Sequence, residues 1–231
     1  MEFETTVTDI VQRTYNVKSF RFLKPASFTY KAGQFIFITI KSGTEELRKH
    51  FTLSSSPTED FIEFTKKLTE SNFSTALDAL EVGDWAKIDG PYGKFTFEGE
   101  FRKIALLSGG IGITPIRSIC RYCADNHVDT DIVILYGNRS DKDIVFRKEL
   151  EKMNEQKKFK VVFTVNEAAE GWTGYVGIID AAMIKREIPD YAERVFYTCG
   201  PPAMVEAMDR LLTDLGVSQD YMRKENFYGY D

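Results

Sequence analysis

The run Ser108-Gly109-Gly110-Ile111-Gly112-Ile113-Thr114-Pro115 follows the apolar stretch KIALLS and has the residues to cradle a phosphate. Such a turn needs glycines, because the backbone must reach positive φ and a phosphate must come close to it. A helix starting behind it would offer unpaired N–H groups and a partial positive charge to a pyrophosphate. Thr114 can cap that helix, and Pro115 in its first turn lacks only a donor that would be orphaned anyway. Tyr136-Gly137-Asn138-Arg139 ends the next apolar run, where doubly wound folds meet an adenosine ribose. Arg139 suits a 2′-phosphate, whereas an acid suits a free ribose diol, and Asp141 and Asp143 stand close behind. NADPH and NADH therefore both stay open. Cys199-Gly200-Pro201-Pro202 follows RVFYT, and ligands of such sheets sit outside the carboxyl ends of the strands.

The first half carries a different set. Arg48-Lys49-His50 precedes Phe51-Thr52-Leu53-Ser54-Ser55-Ser56-Pro57. A cation, an aromatic ring and a run of hydroxyls on one strand can hold a phosphate, a planar ring and the heteroatoms of that ring. Ser71-Asn72-Phe73-Ser74 stands before a short helix and offers another anion-binding N-terminus. Gly90-Pro91-Tyr92-Gly93-Lys94-Phe95 reads as a rigid turn closing this half. Cys120 and Cys123 have C-x-x-C spacing within RSICRYC, where i and i+3 share one helical face. A tetrahedral metal site or an iron–sulfur cluster needs four ligands. Cys199 is the only other cysteine, so no metal is expected and a reducing compartment is.

Two rhythms position these residues. Up to about residue 100 the chain reads as short strands with turn punctuation: FETTVTDIVQRTY, KSFRFLK, GQFIFITI, HFTLSSS, FIEFTKKL and DWAKIDG. One helix, about STALDALE, interrupts them behind Ser74. This predicts a small six-stranded antiparallel barrel. Beyond Phe101, nearly continuous apolar strands alternate with helices over TPIRSICRYCADN, DIVFRKELEKMNEQ, DAAMIKREI and PAMVEAMDRLLTDL. That pattern predicts a doubly wound parallel sheet covered on both faces. The expected division is a β-barrel domain over residues 1–100 and an α/β nucleotide-binding domain over 101–231.

Composition removes several alternatives. A net charge of −5 argues against nucleic-acid binding, which needs a basic face. No stretch approaches the ~20 apolar residues of a spanning helix, and MEFETTVTDIVQR has early acids and no apolar core for a signal peptide. A cytoplasmic protein, monomeric or homodimeric, is expected.

Together these motifs resemble, in order and over nearly the whole chain, the ferredoxin–NADP reductase family, including its stand-alone bacterial and archaeal members. The family's flavin-binding Arg-x-Tyr-Ser is matched by Lys49, Phe51 and Thr52. The resemblance implies Lys49 on a flavin phosphate with Arg48 sharing the role, Phe51 against the isoalloxazine, and the Thr52 hydroxyl near flavin N5. His50, Leu53 and Ser54 complete that segment. The family's Gly-x-x-Ser, which meets the FAD pyrophosphate, appears with Ser71 in the glycine place and Ser74 retained; FAD is therefore favoured over FMN. Gly90, Tyr92 and Gly93 match the motif that closes the barrel. Gly109, Gly110, Gly112, Thr114 and Pro115 match Gly-Gly-x-Gly-x-Thr-Pro, and Cys199, Gly200 and Pro201 match Cys-Gly-Pro. By resemblance Cys199 lies beside the nicotinamide, with Phe227 near the flavin face and Glu225 near N5 as a proton relay. A docked edge strand is the plainer reading of that aromatic tail, Lys224 to Tyr230. The implied activity is hydride transfer from NADPH or NADH to bound FAD, then single electrons to a separate acceptor. A ferredoxin leads as acceptor, docked through a basic patch to which Arg21, Lys24, Lys31, Arg223 and Lys224 could contribute. A flavin reductase or the electron-transfer subunit of a multicomponent complex is the alternative.

Overall fold

Alternating apolar residues in the first half build one antiparallel sheet. In the computed structural model, which describes residues 1–228, six strands follow one another. They are β1 (Glu2–Thr14), β2 (Val17–Leu23), β3 (Phe35–Ser42), β4 (Glu45–Thr52), β5 (Phe61–Lys67) and β6 (Trp85–Tyr92). Their order is β4-β3-β6-β1-β2-β5. Phe20, Phe22, Ile36, Ile38, Phe64 and Ile88 turn one face of each strand into a common core. A bridge between Leu53 and Phe64 joins the two ends of the sheet and curls it into a barrel. Glu63 is fully buried beside that seam. Its charge is tolerated because Arg13 and Arg21 each donate to it at 2.8 Å and the Ser54 hydroxyl donates at 2.9 Å.

The second sheet is parallel throughout, in the order β10-β9-β8-β7-β11-β12. Its strands are β7 (Lys103–Gly109), β8 (Asp131–Ser140), β9 (Phe159–Glu167), β10 (Tyr175–Val176), β11 (Val195–Gly200) and β12 (Met222–Asn226). Successive residues of β7 feed opposite faces: Ile104 and Leu106 enter one core, Ala105 and Leu107 the other. That is why the strands read as continuous apolar runs. Four helices cover the faces: α2 (Ile113–Asp125), α3 (Arg147–Asn154), α4 (Ala181–Glu187) and α5 (Pro202–Asp214).

Helix α2 also ties the two sheets together. Arg117 donates to the Ser54 carbonyl at 2.9 Å and to Glu59 Oε1 at 2.9 Å. The Ser118 hydroxyl donates to the Ser55 carbonyl at 2.6 Å, and Thr58 donates to Asp125 at 2.6 Å.

Several element ends differ from the sequence expectations. The strand expected over HFTLSSS starts earlier, at Glu45, and stops at Thr52. The barrel helix α1 (Asn72–Asp78) starts at Asn72 rather than behind Ser74, because the Ser71 hydroxyl caps it by accepting from the Ser74 N–H. Helix α2 begins at Ile113 with Gly112 at its cap, so Thr114 lies inside the first turn and caps nothing. The helix expected from Asp143 begins only at Arg147. Phe146 holds φ 59°, a left-handed conformation that breaks the helix before it, and the guanidinium groups of Arg13 and Arg117 lie over its ring at 4.9 and 5.6 Å. Strand β10 had no counterpart in the sequence reading. The tail is an edge strand as far as Asn226; its Gly229 and Tyr230 lie outside the described residues.

Candidate functional site

Strand β4 is an edge strand, so its outer backbone groups are free to pair with something other than protein. A cavity of about 570 Å³ runs along that edge. Arg48, Lys49, His50, Phe51 and Thr52 line it from β4, and Thr65 and Lys66 from β5. Thr69, Ser71, Ile111, Thr114, Glu225 and Phe227 complete the lining. The Phe51 ring is fixed by stacking on Phe64 at 4.7 Å and by Phe73 at 5.5 Å. Thr114 Oγ1 and Glu225 Oε2 are buried with no hydrogen-bond partner among the described residues. Buried polar atoms left unpaired cost free energy, so a guest offering hydrogen bonds there would be held. A planar heterocycle with a phosphorylated tail fits these walls, which offer hydroxyls, a carboxyl, a free strand edge and cations.

A second cavity, of about 350 Å³, opens at the carboxyl ends of the parallel strands. Gly109, Gly110, Asn138, Arg139, Pro201 and Met204 line it, together with Asn16 and Lys67 from the barrel. The Asn138 amide is buried and has no hydrogen-bond partner among the described residues. The glycine turn and the Cys199-Gly200 segment are in direct backbone contact: a Cβ on Gly112 would sit 2.4 Å from the Cys199 carbonyl oxygen. At the mouth, Arg139 pairs with Glu167 at 3.0 Å, and Asp143 accepts from the Tyr15 and Ser140 hydroxyls at 2.8 and 2.6 Å. The dimensions and glycine walls fit a nucleotide phosphate.

Two residues, Ile111 and Phe227, line both cavities. The Phe227 N–H donates to the Gly200 carbonyl at 2.9 Å, which seats the tail against the Cys-Gly-Pro segment. Pairing of β7, β11 and β12 sets Ser108, Cys199 and Glu225 side by side. Cys199 itself lies beneath the surface and lines neither cavity. Burial first, then the neighbouring Glu225, holds its thiol well above the ordinary value, so it is a neutral S–H group.

Burial pushes the Glu225 carboxyl up from 4.5 to about 7. A carboxyl whose folded value is raised contributes stability that is complete below its unfolded value and is lost as pH rises through the folded one. Between about pH 4.5 and pH 7, thermal stability is therefore expected to fall in the native protein relative to Glu225→Gln. The gap should reach several degrees, at ~2–4 °C per kcal/mol for a chain of this size. Melting curves that stay parallel across this range would show that the carboxyl ionises freely.

The remaining residues expected from the sequence build the walls from behind. Leu53 closes the barrel, and Ser54 is bound to Glu63. Ser74 spends its hydroxyl on Thr69, whose N–H donates to it at 3.2 Å. Gly90 packs on Ile36 and Gly93 on Phe35, while the Tyr92 hydroxyl donates to Asp89. Gly112, Pro115 and Gly200 line neither cavity, and Thr114 faces the larger one rather than the dinucleotide turn. Arg48 is committed to Asp89 at 2.5 Å and lies over Phe37 at 4.5 Å, on the face of β4 opposite Lys49, which counts against a shared phosphate role. Cys120 and Cys123 are buried in α2 as free thiols, and no metal-ligating cluster exists among the described residues. The five cations proposed as a docking patch are each engaged within the chain: Arg21 with Glu63, Lys24 with the Pro57 carbonyl, Lys31 with Glu98, Arg223 with the Asp220 carbonyl and Lys224 with Asp209. No described helix is long and apolar enough to cross a membrane.

Sequence reasoning missed Lys66, Thr69 and Ile111 in the larger cavity, and Asn16 and Lys67 in the smaller. One signal was available: consecutive lysines on a strand point to opposite faces, so one of Lys66 and Lys67 had to face inward.

Comparison with known proteins agrees with this geometry. The oxidoreductase FAD-binding domain model matches residues 4–97, and the oxidoreductase NAD-binding domain model matches 106–210. The glycine betaine monooxygenase reductase subunit of Chromohalobacter salexigens is 30% identical over 228 residues, 94% of this chain. The chain spans 62% of that relative's length. NADH-cytochrome b5 reductase 1 of Mortierella alpina is 32% identical over 219 residues, covering 91% of this chain and 74% of the relative. The ferredoxin reductase in carbazole 1,9a-dioxygenase superposes with a TM-score of 0.84 at 26% identity, covering 99% of this chain and 70% of its own.

Proposed function

The chain belongs to the ferredoxin–NADP reductase family of FAD- and NAD-binding oxidoreductases, and from that premise we propose that it takes reducing equivalents from a nicotinamide dinucleotide and passes them singly to a separate protein. The observation that supports this reading is the wall of Ile111 and Phe227 common to both cavities, which makes the two cavities neighbours across one partition. Bound FAD supplies the conversion of a two-electron donation into one-electron deliveries.

The chain's own residues do the positioning. Lys49 holds a flavin phosphate, Phe51 bounds the ring, and the Thr52 and Thr114 hydroxyls are placed to hydrogen-bond its heteroatoms. Glu225, raised by burial to about 7, takes up and releases a proton near neutral pH at the ring's reacting end. Gly109, Gly110 and Pro201 receive the dinucleotide phosphates, and Asn138 its ribose. Cys199 backs the nicotinamide position as an uncharged packing group. The pairing of Arg139 with Glu167 supports NADH as donor, since an acid at that strand end suits a free ribose diol. The division of labour follows the two sheets, barrel for flavin over 1–100 and parallel sheet for dinucleotide over 101–231. The acceptor we favour is a ferredoxin or another small one-electron carrier in the cytoplasm; the named relatives include reductases of a monooxygenase and of cytochrome b5.

An absorption spectrum of the purified protein, followed by anaerobic addition of NADH or NADPH, tests the reading. Oxidised flavin bands that bleach faster with NADH are expected. A protein that is colourless, and stays so after incubation with FAD, would overturn it.

A further inference from the structure

Behind the wall of the smaller cavity, Tyr136 stands on β8 beside Ser108 of β7, fully buried in the core on one face of the parallel sheet. Its ring packs near that of Phe163, with centroids 6.2 Å apart. Its hydroxyl joins two segments of chain. It donates to the Gly110 carbonyl at 2.8 Å and accepts from the Val145 N–H at 3.4 Å. Gly110 belongs to the glycine turn after β7 and Val145 to the loop after β8; both line the smaller cavity, and Tyr136 lines neither. Burial pushes the phenol well above its ordinary value, so it keeps the proton it donates.

Gly110 holds φ 52°, and a Cβ there would meet nothing within 4 Å, so side chains do not wedge the turn into place. Its carbonyl is held by two donors, the Tyr136 hydroxyl and the Ile113 N–H. A trans peptide points its carbonyl and its N–H in opposite directions. A Gly110 carbonyl anchored toward Tyr136 therefore turns the Ile111 N–H away from the core, to the side on which both residues line the cavity. The Val145 loop has a second tie, since the Tyr15 hydroxyl of the barrel donates to Asp143 at 2.8 Å. Losing the Tyr136 bond would thus change the width of the cavity without detaching the loop. We propose that Tyr136 is a positioning residue for the dinucleotide, its hydroxyl fixing the spacing between the glycine turn and the Val145 loop. The assignment rests on the dinucleotide reading of this cavity given above.

The test is Tyr136→Phe, which removes one oxygen and keeps the ring. Stopped-flow bleaching of the FAD-loaded full chain over a range of NADH and of NADPH concentrations gives the dissociation constant of the faster donor and the rate at saturation. FAD affinity and the urea midpoint are measured on the same protein. Dinucleotide binding is expected to weaken about 10-fold, ~1.4 kcal/mol, with the saturated rate within about three-fold of native and FAD affinity within about two-fold. An unchanged dinucleotide constant would overturn the assignment, and with a lowered urea midpoint it would show a structural role alone. Equal weakening of FAD and dinucleotide would overturn it as well. Should the variant not fold, amide exchange on the native protein decides the matter. A Val145 N–H protected before any dinucleotide is added supports the tie, and one that exchanges as fast as an open loop overturns it. Native protein whose bound flavin neither dinucleotide bleaches would instead remove the dinucleotide reading, and the assignment with it.

Discussion

Gly112→Ala is expected to slow reduction of the bound flavin by dinucleotide about 100-fold while leaving the flavin in place. The new methyl would lie 2.4 Å from the Cys199 carbonyl oxygen and 2.6 Å from the Gly200 Cα. Both obstacles are backbone, so the glycine turn and the Cys-Gly-Pro segment must separate. Overpacking of this kind costs ~1–3 kcal/mol, and a displacement near 1 Å between reacting groups can cost about 10²-fold in rate. Gly109→Ala provides the contrast. Its methyl would meet the Met204 thioether at 2.3 Å, a flexible side chain that can swing aside, so a smaller effect is expected. Stopped-flow bleaching of the flavin absorbance, with flavin content measured on the same samples, separates the two cases. Equal rates for Gly112→Ala and native protein would mean that the turn does not hold the donor.

The largest expected loss of stability follows Arg117→Met. Arg117 is 4% exposed, and its guanidinium meets Glu59, Glu149 and the Ser54 carbonyl. Burial alone would lower its proton affinity, but the surrounding carboxylates outweigh that and raise it. Removing the cation strands two carboxylates and one carbonyl in a site where they cannot be fully hydrated. Breaking a buried pair from one side costs ~3–5 kcal/mol, which for a chain of this length is on the order of 10 °C. Because α2 packs the parallel sheet onto the barrel through this residue, the Ser54–Glu59 loop should loosen along with the global midpoint. Urea titration followed by tryptophan fluorescence gives the measurement. A loss below about 1 kcal/mol, the value of an exposed pair, would show that water reaches the cluster.

Much of the architecture was legible because it depends on local periodicity. Two-residue alternation in FIEFTKKL and unbroken apolar runs such as KIALLS separate an antiparallel from a parallel sheet without any long-range information. The glycine turn was legible for a similar reason, since strand, glycines and helix are contiguous. What escaped were features decided across the fold. Phe146 takes a left-handed conformation for which a bulky residue has no local preference; the arginines stacked on its ring come from β1 and α2. Thr114 looks like a helix cap, but the turn of Gly110–Gly112 runs directly into the helix and leaves its hydroxyl for the cavity. Lys66 and Lys67 are indistinguishable in sequence, and only strand register assigns one to each cavity. Cys199 stands at the strand end where the resemblance implied, yet neighbouring strands bury it.

The partition formed by Ile111 and Phe227 has a bookkeeping consequence for the two guests. Molecules leaning on opposite sides of one septum are not independent whenever that septum shifts. Whatever factor flavin loading applies to the dissociation constant of the dinucleotide, the dinucleotide applies equally to that of the flavin. A dinucleotide that tightened the hold on the flavin would by the same factor be held more tightly itself.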